Sequence, residues 1–307
     1  MSKKEKIGNI TLYLDYYSGT DLYNEGDEAE EIVLNALKCG EDYLKVLSEN
    51  NTWPVLYQLS PERQNIIAPM DIKRTDEVLE IGAGMGAVTG AIAKRCKHVD
   101  CIDLSKRRSI ANAYRNKEYD NIDIYVGNFQ DILLQKKYDV ITLIGVFEYA
   151  QSFIKGDKPY ELFLNQIAQL LKPGGLLYIA IENKLGLKYF AGSPEDHTGV
   201  IFKSIEGYSK LDPARTFTKS EITELLLNNG YESVYFYYPY PDYKLPSAIY
   251  SEDYLPDETL TISMKPSYNF WRDVYFDEDK ANHNLIGTKE WEIFSNSFLI
   301  EAKKDLD

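Results

Sequence analysis

Three groups of residues in this 307-residue chain have types and spacing suited to chemistry. The first is Glu80-Ile-Gly82-Ala83-Gly84-Met-Gly86, three glycines at alternate positions between an apolar run and a helical pattern. Glycine permits tight turns and close backbone approach, and a following helix N-terminus favours negative charge, so the segment reads as a ligand-binding loop. Alone it is ambiguous, because Gly82-x-Gly84-x-x-Ala87 also fits a dinucleotide fingerprint. The second is Asp103, followed by Leu104, at the end of the run Val99-Asp-Cys-Ile-Asp103. A carboxylate there can accept hydrogen bonds from both hydroxyls of an adenosine ribose; its competing role is a helix N-cap, for which Ser105 is a rival. The third group is dispersed: Glu148 with Tyr149, Glu182 with Asn183, His197 and Arg215. The ordinary pKa of a histidine suits His197 to general-base work near neutrality; the alternative is a loop histidine bonded to Glu195 or Asp196. Glu148 reads as a base, a substrate-binding carboxylate or a helix-start charge. Glu182 and Asn183 close a strand, at the edge where open α/β sheets bind ligands. Arg215 suits an anionic substrate group, with an internal salt bridge weighed slightly ahead. No metal site stands out, since His98 and His283 have no ligand-spaced partner.

The elements that must position these residues alternate. Apolar runs predict strands at Val78–Ile81, His98–Ile102, Ile122–Val126, Tyr138–Ile144 and Leu176–Ile181. Helical spacing predicts helices over Ala87–Arg95, Lys106–Asn116 and Pro159–Leu171 between them. Strands separated by helices imply right-handed βαβ units and a parallel sheet. A helix over Lys219–Asn229, closed by Gly230, then leads to strands Tyr231–Tyr238 and Phe294–Ala302, expected to be antiparallel. Upstream, residues 9–24 read as extended or turn-rich, Glu28–Leu47 as one helix, and two shorter helices start near Pro54 and Pro61. The expected organisation is an N-terminal helical cap over 1–74 and a core over 75–307. The core carries a lid at 183–214 and a tyrosine-rich insertion at 239–290.

Composition narrows the function. The net charge of −14 opposes a phosphate backbone. The short runs Lys106-Arg107-Arg108 and Lys136-Lys137 read as solvated surface, so no nucleic-acid partner is expected. Three cysteines without a Cys-x-x-Cys pair point to a reducing compartment. No signal peptide or bilayer-length apolar run is seen, which together predict a cytoplasmic protein without a transmembrane segment. Many of the 25 tyrosines fall late, from Tyr231 to Tyr250. Tyrosine suits packing on sugars, but strand packing is the plainer reading for most of them.

Four motifs in order resemble the class I S-adenosylmethionine-dependent methyltransferases: the Glu80–Gly86 turn with Asp103, Val126-Gly-Asn128-Phe129, Tyr138–Tyr149, and Leu170-Leu-Lys-Pro-Gly-Gly-Leu-Leu-Tyr178. The resemblance is strong over about 75–182 and weaker beyond. It implies a Rossmann-like seven-stranded sheet, mostly parallel with an antiparallel last strand. It also implies S-adenosylmethionine as cofactor and S-adenosylhomocysteine as product. On this resemblance, Gly82, Ala83, Gly84 and Gly86 hold the methionine end and Glu80 orients its amino group. Asp103 and Leu104 hold the ribose, Asn128 and Phe129 the adenine, and Ile144 and Gly145 face the methyl donor. Tyr149, Glu182, Asn183 and Arg215 are then substrate contacts, with His197 and Glu148 catalytic. The segment Glu182–His197 further resembles methyltransferase domains associated with bacterial surface-polysaccharide and lipopolysaccharide assembly. That implies O-methylation of a sugar or glycan-linked intermediate. The alternatives are another small molecule methylated at oxygen or nitrogen, a NAD-dependent oxidoreductase, and a non-catalytic binding module. Glu80 and Lys172-Pro-Gly-Gly175 speak against the oxidoreductase, and the intact glycine turn with Asp103 against the module.

Overall fold

The structure is a computed structural model describing residues 3–21, 26–259, 262–263 and 270–306. It divides into two compact units: residues 1–143 with 170–175, and residues 144–169 with 176–307. The expected boundary near residue 75 therefore lies inside the first unit.

The first unit is built on β1 (Lys4–Ile7), β2 (Ile10–Tyr13), β3 (Glu77–Ile81), β4 (His98–Asp103), β5 (Ile122–Val126) and β6 (Tyr138–Ile144), the last residue of which belongs to the second unit. The spatial order is β1-β2-β5-β4-β3-β6. β2, β5, β4, β3 and β6 pair in parallel, and β1 folds back antiparallel on β2. β3 and β4 are buried along nearly their whole length, the continuous apolar pattern of a sheet covered on both faces. The segment 9–24, expected to be merely extended, carries β2 and so extends the sheet by a hairpin; its residues 22–24 lie outside the described set. Its short alternating pattern, Ile10 and Leu12 in and Thr11 and Tyr13 partly out, is a weak signal beside the long core strands.

The expected single helix Glu28–Leu47 is two helices, Asp27–Cys39 and Tyr43–Glu49. Gly40 separates them in the left-handed conformation that closes helices, at φ 68°. These helices and Trp53–Leu59 bury Val33, Leu37, Val46, Val55 and Leu59 against Met85 of the glycine turn and Ala111 of the helix Lys106–Arg115. The N-terminal helices thus brace the ligand loop from outside the sheet.

The second unit contains β7 (Leu171–Glu182, whose first five residues belong to the first unit), β8 (Tyr231–Tyr240), β9 (Ala248–Ser251) and β10 (Ser297–Lys304). β10 lies between β7 and β8 and is antiparallel to both, as expected for the last strand, and β9 adds an antiparallel edge on β8. The described residues hold ten strands, where the resemblance implies seven; β1, β2 and β9 are the additions. The helix Lys219–Leu227 starts with a reciprocal capping box between Thr218 and Glu221. It ends on Asn228, two residues before the expected Gly230 cap. The segment 183–214 carries two single-turn helices, Leu187–Phe190 and Lys203–Glu206. Residues 260, 261 and 264–269 of the tyrosine-rich insertion lie outside the described set.

Candidate functional site

The ligand loop of the first unit follows β3. Gly82, Gly84 and Gly86 all have positive φ, 75°, 53° and 74°. At Gly86 glycine is required twice over, because an added Cβ would also run into the side chains of Asn112 and Asn116. Those two amides are tied to the loop: Asn112 donates to Thr89 (3.2 Å) and Asn116 to the Gly86 carbonyl (3.3 Å). Arg115 donates to the Met85 carbonyl (2.8 Å) and to Gln58 (2.7 Å), and burial pulls its pKa down to about 10. Asp103, at the end of β4, accepts from the Gly84 N–H (2.8 Å) and the Ser105 N–H (2.9 Å). Ser105, and not Asp103, caps the helix Lys106–Arg115 by accepting from the Arg108 N–H.

Glu80 is buried and accepts from the Thr89 hydroxyl (2.6 Å) and weakly from Cys101 (3.5 Å). Burial pushes its carboxyl up to about 7, against these hydrogen bonds. Asn128 accepts from the Gln130 N–H (3.1 Å), which shapes the turn bearing Phe129; both side chains are half-buried. Leu104 is half-buried beside Asp103. The charged run Lys106-Arg107-Arg108 is not solvated surface. Arg108 is buried, its guanidinium close behind Gly84, and Arg107 bridges Asp27 (2.7 Å) and buried Glu30 (2.6 Å). Lys136 likewise bridges Glu77 (2.9 Å) and Asp100 (2.7 Å). His98 has partners after all, Asp100 two residues along β4 at 3.1 Å and Asp123 of the adjacent β5 at 3.5 Å. Their hydrogen bonds raise its pKa to about 9 against desolvation.

The second unit gathers most of the dispersed candidates. Glu148 lies in the turn Phe147–Tyr149, Glu182 is the last residue of β7, and His197 follows in the segment after it. His197 Nδ1 bonds Glu195 Oε1 at 2.7 Å, while Nε2 lies 3.8 Å from both Glu148 Oε1 and Glu182 Oε2. The bond to a neighbour and the approach to the distant carboxylates therefore coexist on one ring. Glu195 is itself fixed by the His197 and Thr198 N–H groups (3.0 and 2.8 Å) and by Tyr208 (3.3 Å). The Tyr149 ring stands edge-on to the imidazole at 5.2 Å. Burial disfavours the imidazolium, but Glu182, Glu148 and Glu195 outweigh it and hold His197 well above its usual pKa. Burial raises the Glu148 carboxyl; His197 opposes this and Glu182 adds to it.

A network that sequence reading missed supports this cluster. Lys244 is ion-paired to Glu182 and lies 3.3 Å from Asp196. Lys188, 1% exposed, bridges Asp196 (2.8 Å) and Asp242 (3.0 Å). Tyr243 Oη is 3.4 Å from Glu182 and lies where a side chain on Gly145 (φ 69°) would project. No sequence signal marked them: Lys188 falls in the segment expected as a lid, and Asp242 and Lys244 in the expected tyrosine-rich insertion. Ile144, at the end of β6, is buried. Asn183 is spent on structure: it donates to the Ile293 and Ser295 carbonyls (both 2.7 Å) and accepts from the Leu185 N–H (3.0 Å). Arg215 stays outside the cluster, 3.8 Å from Glu221 and over the Phe217 ring at 4.8 Å.

Residues 79–177 match the family described as methyltransferase domain. YrhH of Bacillus subtilis (strain 168), a methyltransferase by name, is 31% identical over 159 residues, half of this chain and 81% of that protein. The chain belongs to the class I S-adenosylmethionine-dependent methyltransferases. S-Adenosylmethionine is its cofactor, and the first unit's loop suits it: a backbone of positive-φ glycines, a buried carboxylate at Glu80 and the Asp103 carboxylate at the end of β4. Ribosomal RNA small subunit methyltransferase A of Syntrophus aciditrophicus is 30% identical over 99 residues, and this methyltransferase spans only a third of that protein's length. The expected absence of a nucleic-acid partner is therefore not confirmed. Phosphoethanolamine N-methyltransferase 1 of Haemonchus contortus, solved with phosphoethanolamine and S-adenosylhomocysteine, shares the fold at TM-score 0.50 and 14% identity, over 92% of this chain and 52% of that one. Among the described residues no helix is long and apolar enough to cross a membrane.

Proposed function

We propose that this methyltransferase transfers a methyl group to a hydroxyl of a sugar or glycan-linked acceptor. The observation that carries the reading is His197, pinned through Nδ1 by Glu195 with Nε2 turned toward Glu148 and Glu182. When bound, the cofactor supplies an already activated methyl group. The protein must then position the acceptor and take up the proton of a hydroxyl. In this reading the first unit binds the donor through Glu80, Gly82–Gly86, Asp103, Leu104, Asn128 and Phe129. The second unit binds the acceptor: Glu148, whose carboxyl is raised by burial, takes up its proton, His197 orients Glu148 and Glu182, and Tyr149 stands beside the imidazole to contact a sugar. Lys188 and Lys244 act as positioning residues that hold Glu182 and Asp196 in place.

One observation favours a second reading. The cluster sets five carboxylates (Glu148, Glu182, Glu195, Asp196 and Asp242) against three cationic groups (His197, Lys188 and Lys244). An excess of negative charge suits an amine acceptor, methylated at nitrogen. The test is release of S-adenosylhomocysteine on incubation with free sugars, nucleotide sugars and small amines in parallel. Turnover with hydroxyl acceptors, abolished in His197→Ala while cofactor binding persists, supports the first reading. Turnover with amines alone replaces it.

A further inference from the structure

We propose that Glu148, Glu182 and His197 form a binding site for one divalent metal ion. Their donor atoms lie within 4.8 Å of one another, in a buried cluster that the sequence, with its three elements far apart in the chain, does not disclose. The distances carry the argument. His197 Nε2 is 3.8 Å from one oxygen of each glutamate, too long for a hydrogen bond. Two ligands sharing an ion with bonds of about 2.0–2.2 Å lie about 3 to 4 Å apart, depending on the angle at the ion. The spacing fits a shared ion and not direct pairing.

A second observation points the same way. Among the described residues, Glu148 Oε2 and Glu182 Oε2 are buried oxygens with no hydrogen-bond partner. Buried carboxylate oxygens are satisfied by donors or by metals. Lys244 engages the other oxygen of Glu182 and leaves Oε2 directed at the imidazole. The third observation lies behind the ring. Ligating histidines commonly donate their second N–H to a carboxylate, which fixes the tautomer and turns the free nitrogen to the ion. Glu195 stands in that relation to Nδ1 at 2.7 Å, and is itself held by two backbone N–H groups and Tyr208. One imidazole and two carboxylates suit Mn²⁺ or Zn²⁺ better than Mg²⁺. Three protein ligands leave positions open for an acceptor oxygen.

Ion binding does not depend on the acceptor, so failure of the O-methylation reading leaves this test standing. The experiment is titration of the chelator-stripped full chain with MnCl₂, followed by the loss of the free-ion paramagnetic resonance signal, and by calorimetry with ZnCl₂. The expected result is uptake of one ion per chain, with nitrogen modulation from one imidazole in the bound Mn²⁺ spectrum. Glu148→Gln, which keeps size and shape, and Glu195→Gln each weaken binding about tenfold or more. His98→Ala, which removes the other histidine–carboxylate group, leaves uptake unchanged. No stoichiometric uptake, uptake indifferent to Glu148→Gln and Glu195→Gln, or uptake lost in His98→Ala would each overturn the proposal.

Discussion

At Glu80 and Asp103 two buried carboxylates beside one loop are held in opposite ways. Asp103 takes two backbone N–H bonds, whereas Glu80 takes a hydroxyl and a thiol and is desolvated, so that its pKa climbs to about 7. The sign of the consequence is the reverse of the usual one for an acid. Between the ordinary carboxyl value of 4.5 and about 7 the folded chain holds a proton on Glu80 that the unfolded chain has lost. Glu80 therefore favours folding fully at and below the lower value, and that contribution fades as pH rises through the upper one. For the cofactor the direction is opposite, because its cationic amino group prefers the ionised carboxylate. Calorimetry should show S-adenosylhomocysteine binding tightening between about pH 6 and pH 8, and Glu80→Gln should flatten that dependence. Equal pH dependence in the two proteins would remove Glu80 from amino-group recognition. Asp103→Ala should weaken binding by about 2 kcal/mol, roughly thirtyfold in Kd, the scale of hydrogen bonds to a charged group. Unchanged affinity in a variant that still melts cooperatively would show that Asp103 serves only the loop.

The elements show why glycine matters at some turns and hardly at others. Gly86 combines φ 74° with the Asn112 and Asn116 amides directly in the path of a side chain, whereas Gly40 has a similar φ of 68° and open space around it. Gly40→Ala should cost about 1 kcal/mol, the conformational penalty alone. Gly86→Ala should cost about 3 kcal/mol or more and also weaken cofactor binding, since the asparagines must move and take the loop with them. Thermal melts of the two variants with and without S-adenosylhomocysteine separate these effects; equal melting losses would refute the packing argument. The same contrast explains what was legible in the sequence. β5 and β6 lie where apolar periodicity puts them, and Asp103 and the glycine turn sit at the strand ends expected, because those signals are local. The break at Gly40 was masked by apolar spacing that continues across it, and the hairpin β1–β2 by strands of four residues. The companions of His197 were illegible for another reason. Glu195 is two residues away, but Glu148, Glu182 and Lys244 reach the cluster only through the ends of β6, β7 and β8. Pairings of that kind are fixed by topology, which a linear pattern does not carry.

At the scale of the whole molecule, the question is whether a chain of net charge −14 can share the substrate class of its ribosomal RNA relative. Binding RNA requires cations free to replace counterions along a phosphate backbone. Several cations here are already engaged: Arg107 by Asp27 and Glu30, Lys136 by Glu77 and Asp100, Lys219 by Glu252 and Glu292, and Lys188 and Lys244 by buried Asp242. Freeing them for phosphates would strand their carboxylate partners, at a cost that the new contacts would have to exceed. The long-range field adds repulsion, strongest at low ionic strength, where RNA-binding proteins bind best. The expected outcome is that fragments of small-subunit ribosomal RNA form no saturable complex at about 0.05 M or about 0.15 M salt, and are not methylated at either. A mobility-shift titration beside a radiolabelled methyl-transfer assay measures both. A complex that weakens by several powers of ten across that salt range, with label in the RNA, would show that a local basic surface overcomes the overall charge. The acceptor would then be nucleic acid and not a sugar. Absence of binding at both salts, with turnover on a small hydroxylated acceptor, would show that the shared methyltransferase core serves a different substrate from that of the RNA-modifying relative.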